Sequence, residues 1–112
     1  MDRLDEYSRL IREILERYAR ISYSHGDIQS YAIADSLNNH FMLMVVGWDG
    51  QRRVHGCITH VQIIDGKIWI QRDGIEDGIT EELVAAGVPK SDIVLGFHRC
   101  LPYLLELLIV KS

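Results

Sequence analysis

Three turn signals, Asn38-Asn39, Asp49-Gly50 and Asp65-Gly66, cut the middle of the chain into apolar runs of strand length. Asp-Gly between two such runs is a strong hairpin mark, because a type I′ turn needs positive φ at both central residues. The runs "YAIADSL", "HFMLMVVGW", "VHGCITHVQII" and "KIWIQRDG" predict an antiparallel meander of four strands. "YSHGDIQS" (Tyr23 to Ser30) reads as a loop ahead of it.

Helices flank the meander. Leu4, Tyr7, Leu10, Ile11, Ile14, Leu15 and Tyr18 recur at steps of three and four, the stripe of an amphipathic helix lying on its own sheet. Glu13 and Arg17 stand four apart in the favourable order for an ion pair, and His25-Gly26 offers a stop. A second helix is expected after "DGIE", with Asp73 as N-cap, Glu76 three residues on, and Ile75, Ile79 and Leu83 as its apolar stripe. Gly87 and Pro89 in "AAGVP" end it. "SDIVLGF" then reads as a short extended segment before an apolar tail, "LPYLLELLIV". The expected fold is α+β, one domain over residues 1–112: an N-terminal helix, a four-stranded antiparallel meander, a second helix and a short C-terminal segment.

The chemistry-bearing residues concentrate in one strand, where His55, Cys57 and His60 fall within six positions. Strand parity decides whether they can meet. A two-residue loop at Asp65-Gly66 sets Ile64 against Lys67, Ile63 against Ile68 and Val61 against Ile70. One face then holds His55, Cys57, Thr59, Val61 and Ile63, and the other holds Val54, Ile58, His60, Gln62, Trp69 and Gln71. On this parity His60 looks away from His55 and Cys57, so no metal site is expected: ligands must converge on one ion. A bulge at Gly56 is the one device that would rotate the register. His55 and Cys57 share a face as a Cys–His pair would, but a thiol in apolar surroundings is inert. No catalytic residue and no cofactor is therefore expected.

Across Asp49-Gly50, Val46, Met44 and Met42 fall on the face of Arg53, His55 and Cys57, and Val45, Leu43 and Phe41 on the other. Both faces of the central strands are apolar, unlike a sheet with one wet side. The first helix covers one face, and the second helix, the C-terminal tail or a second subunit must cover the other; the apolar tail "LPYLLELLIV" favours a subunit contributing, and a homodimer is the expectation. Candidate contact residues are Trp48, Arg52 and Arg53 beside the Asp49-Gly50 turn, Arg72 at the end of the fourth strand, and Tyr103 in the tail.

Composition bounds the function classes. The chain has 112 residues and a formal net charge of −4. Phosphate binding needs a basic face, so direct nucleic-acid binding is not expected. No apolar run approaches the roughly 18 residues of a membrane span, and no secretory signal opens the chain. A cytoplasmic protein with reduced Cys57 and Cys100 is the expectation. GxxxxGK, GxGxxG, GxSxG and HExxH are absent.

At "VGWDGQRRVHGC", "DGKIWIQRDG" and "ELVAAGVPKSDIVLGFH" the chain closely resembles the XisI family, the fdxN-element excision controlling factors of cyanobacteria. The resemblance runs from the first helix through His98. It implies a small α+β accessory protein without enzymatic activity, associated with control of a site-specific DNA excision and paired with a XisH-type partner. After His98 the chain departs from the family: Arg99 and Cys100 stand where relatives carry a proline pair, and Tyr103 lies near an expected Arg. Two other readings stand beside this one, a homo-oligomeric or antitoxin-like binding module and a small enzyme using His55 and Cys57.

Overall fold

The computed structural model describes residues 3–21, 27–75 and 78–97. Its element order is α1 (Arg3–Ala19), β1 (Asp27–Asp35), β2 (His40–Asp49), β3 (Arg52–Ile64), β4 (Lys67–Asp73), α2 (Ile79–Ala85), a 3₁₀ turn (Lys90–Asp92) and β5 (Ile93–Leu95). The sheet has five strands in the order β1-β2-β3-β4-β5, not four. The extra strand is part of the extended segment "SDIVLGF". It returns past α2 to pair in parallel with β4, Ile68 against Ile93 and Ile70 against Leu95. A parallel partner needs a crossover rather than a turn, so no local turn signal announces it.

α1 buries Tyr7, Ile11, Ile14 and Leu15, the centre of the predicted stripe. Its ion pairs differ from the expected one. Glu13 meets Arg9 at 3.1 Å, and Arg17 reaches across to Glu82 of α2. A partner outside the helix took the arginine, an outcome that i,i+4 spacing cannot register. Tyr7 Oη donates to Asp92 Oδ2 at 2.5 Å, tying α1 to the 3₁₀ turn.

α2 starts later than the Asp73 cap implied. Asp73 still serves its N-terminus: Oδ2 accepts from Ile79 N–H at 3.0 Å and Oδ1 from Ile75 N–H at 3.3 Å. The C-terminus follows the predicted stop. Gly87 has φ +104°, its N–H reaches Val84 O, and Val88 N–H reaches Leu83 O, each at 3.0 Å. That pair of bonds is a Schellman cap, with Val88 and Leu83 buried together beneath it.

The sheet's inner face carries the core. Phe41, Leu43 and Val45 of β2, Thr59, Val61 and Ile63 of β3, and Ile68 and Ile70 of β4 are buried, and most of them pack in one cluster with the buried stripes of α1 and α2. The Asp65-Gly66 turn is as predicted, with φ of +51° and +76° and Ile64 paired to Lys67. The β2–β3 loop is Gly50-Gln51, one residue later than predicted. That slip moves each partner by two positions and leaves the faces unchanged. β1 begins at Asp27, so the second half of "YSHGDIQS" is strand. His25 and Gly26 lie outside the described residues. No described helix is long and apolar enough to cross a membrane.

Candidate functional site

The predicted parity of β3 fails at one residue. Met44 pairs with Cys57, but Leu43 pairs with Thr59, so Ile58 is an extra residue with no partner of its own on β2. This is a β-bulge. Its cause is visible in the side chains. An unbroken pairing from the Gly50-Gln51 turn would set His60 beside Phe41 on the core face and Val61 outside. One inserted residue brings Val61 and Thr59 inward and turns His60 out. Ile58 O, freed from the ladder, accepts Gly74 N–H at 2.8 Å. Gly74 permits the approach: a Cβ there would lie 2.6 Å from that oxygen. A companion irregularity in β4 pairs His60 with Arg72 while Val61 pairs with Ile70.

The consequence corrects the sequence reading: His55, Cys57 and His60 share one face. They follow Val46, Met44 and Met42 of β2 row by row. This outer face also holds Gln29, Tyr31 and Ile33 of β1, Trp48 of β2, Gln62 of β3 and Trp69 and Arg72 of β4, by register. Both described helices lie on the other side. Tyr31, Ile33 and Trp48 are 48%, 44% and 49% exposed. The outer face is thus apolar at its centre and uncovered by any described element.

Sharing a face does not make a reactive trio. Cys57 Sγ donates to Thr59 O at 3.3 Å. Burial pushes its pKa above the usual thiol value, against the opposing pull of the Arg72 charge. Such a thiol stays protonated at neutral pH and is a poor nucleophile. The folded chain holds this proton more tightly than the unfolded chain. The thiol's contribution to stability is therefore intact below the unfolded value and is lost as pH rises through the folded one. In a Cys100→Ser variant, Cys57 should react with a disulfide reagent more slowly than a free thiol at pH 7, its rate still climbing above pH 9.0, the usual value. Fast modification at neutral pH would instead favour the Cys/His enzyme reading. Among the described residues, no group of three or more His, Cys, Asp and Glu side chains is placed to hold a metal ion.

His60 does have a close partner that the sequence reading overlooked. His40 Nδ1 and His60 Nε2 lie 3.0 Å apart. The rings are stacked with centroids 5.2 Å apart and planes 26° apart. Burial, and then the charge of His40, hold the His60 pKa below the ordinary imidazole value. The usable signal was the alternation itself: keeping Phe41 and Val61 both inward forces the bulge, and the bulge brings His60 level with Met42, diagonal to His40.

Three predicted contact residues come together. Arg53 pairs with Trp48 in register, and its guanidinium lies over the indole, 5.3 Å from the ring centre. Arg52 approaches Asp49 at 3.7 Å beside them. Arg72 is separate: it is exposed and sits in the row of His60 and Met42. Tyr103 lies outside the described residues. On the helix side, an open cleft of about 700 Å³ runs between the start of α1 and the β1–β2 turn. Its walls include Asp5, Glu6, Arg9, Arg12 and Phe41, a mixture of charges without a preferred sign of ligand.

The model of the XisI protein family matches residues 1–102. The chain belongs to the XisI family. A XisI-like protein from Anabaena variabilis ATCC 29413 is 38% identical, with a TM-score of 0.81 over 91% of this chain and 94% of that one. The fdxN element excision controlling factor XisI from the same organism is 37% identical, with a TM-score of 0.74 over 88% of this chain and 95% of that one. No curated protein matches the chain. The two XisI structures share the α+β arrangement described above, and the XisI match covers the turn group at Trp48 to Arg53 as well as the bulged strand.

Proposed function

We propose that this chain is a non-enzymatic accessory factor of programmed DNA element excision that acts by protein–protein contact. The carrying observation is the uncovered outer face, where Tyr31, Ile33 and Trp48 stand exposed around half-buried Met42, Met44 and Val46. A contiguous apolar patch on a soluble domain marks an interaction surface. The excision context comes from the likeness to XisI of Anabaena variabilis. A net charge of −4 favours protein contact over an independent grip on phosphate.

Two contacts follow from this reading. A second copy covers the centre of the outer face, over Tyr31, Ile33, Met42 and Met44, sheet against sheet, and leaves the Trp48 end free. A XisH-type partner meets the exposed end of the β2–β3 hairpin, where Trp48, Arg52 and Arg53 combine an aromatic plate with two guanidinium groups. The test is light scattering together with co-purification alongside a XisH-type protein. The wild-type chain should be a dimer that captures the partner. Met44→Glu should give a folded monomer by circular dichroism. A double Arg52→Glu, Arg53→Glu variant should stay dimeric and bind the partner at least about tenfold more weakly. A wild-type chain that is monomeric across the micromolar range and captures no XisH-type protein would sink the reading.

A further inference from the structure

The separation of the two imidazoles on the outer face has a second meaning. Two nitrogens 3.0 Å apart, each bound to one metal ion at roughly 2.0–2.1 Å, subtend about 95° at that ion. This is the cis angle of a square-planar or octahedral site. A tetrahedral ion at the same bond length requires roughly 3.3 Å between its ligand atoms. Square-planar or tetragonal nitrogen coordination suits Cu(II) and Ni(II), and copper binds such donors most tightly among the divalent first-row metals. Met42 adds a soft donor: it pairs with His60 in register and stands two residues from His40 on the same face. All three residues are half-buried, so the ion would be held against the sheet rather than on a freely turning side chain.

We propose that His40 and His60 form a bidentate site for copper, with the Met42 thioether beside it and the remaining positions open to water or to a partner's side chain. Each ring binds through the nitrogen that now faces the other, Nδ1 of His40 and Nε2 of His60. The proton shared between them moves to the far nitrogen of its ring, so that each ring presents a lone pair to the ion. The site lies in the same apolar field as the docking surface, yet it stands on the geometry of the pair alone and does not depend on the excision role.

The test is calorimetric titration of the full chain with Cu(II), Ni(II) and Zn(II), joined to electron paramagnetic resonance of the copper form. The wild type should bind one copper saturably, with nitrogen hyperfine structure, and prefer Cu(II) and Ni(II) over Zn(II). His40→Gln and His60→Gln should each weaken copper binding by at least about tenfold and leave the circular dichroism unchanged. His55→Gln, on the same face beyond Cys57, should bind as the wild type does. The proposal is overturned by an absence of saturable copper binding, by affinity that survives both substitutions, by loss only with His25→Gln or His98→Gln, or by a preference for zinc.

Discussion

Gly47→Ala is expected to destabilise the chain by about 3 kcal/mol or more, roughly 12 °C in Tm for a domain of this size. Gly47 pairs with Ile28 of β1 on the inner face of β2, where β1 approaches closely. A Cβ at this position would lie 1.8 Å from Asp27 O and 2.7 Å from Ile28 Cα. Both obstacles are backbone, so no rotamer change relieves them, and β1 must move off β2 over its first two pairs. Urea denaturation followed by circular dichroism measures the loss. An unchanged midpoint would mean that β1 does not sit on β2 as described. Gly56 is the natural control: a Cβ there meets nothing within 4 Å, so Gly56→Ala should cost far less.

Phe41→Ala is expected to cost about 4 kcal/mol. Phe41 is 2% exposed and is the largest of the fully buried side chains. It lies in the central cluster with Tyr7, Ile11 and Leu15 of α1, and truncation leaves a void that a helix fixed at many other points cannot close. Met42, the next residue, faces the other way and is half-buried. In the monomeric Met44→Glu background, Met42→Ala should cost less than half as much in the same denaturation experiment, because no described helix packs over it. Equal losses at the two positions would show that the outer face is as densely packed as the inner one.

The contrast between these neighbours reaches the functional argument. Phe41, Leu43 and Val45 are inward, and Met42, Met44 and Val46 are outward, yet both sets are apolar. Folding of the described chain satisfies only the first set. The second set is stabilised only when something else covers it, and the accessory reading rests on that unbalanced face. The histidine pair and Cys57 share its setting: partial burial pushes the pKa of the Cys57 thiol up and that of the His60 ring down.

Local features were legible because they depend on neighbours in the chain. The α1 stripe, the Asp65-Gly66 turn with its first four cross-strand pairs, and the Gly87 stop each involve residues within a few positions of one another. The inward set of β2 was legible from alternation alone. The site was less so. Trp48, Arg52 and Arg53 group around the turn, but Arg72 belongs to a different row, and His40 meets His60 only across two strands whose register the bulge sets.

The amino-acid order alone determined two helices, the hairpins, the family and the presence of apolar residues on both sides of the sheet, since helical period, strand alternation and turn chemistry are written in short stretches. Tertiary structure decided the fifth strand and the side on which His60 lies. An inserted residue in β3 is settled by how Phe41 and Val61 bury across two strands and by the Gly74 N–H, just past a third, donating to the freed carbonyl of Ile58. A parallel edge strand is settled by where α2 releases the chain. Both are matches between distant segments, and no single segment carries them.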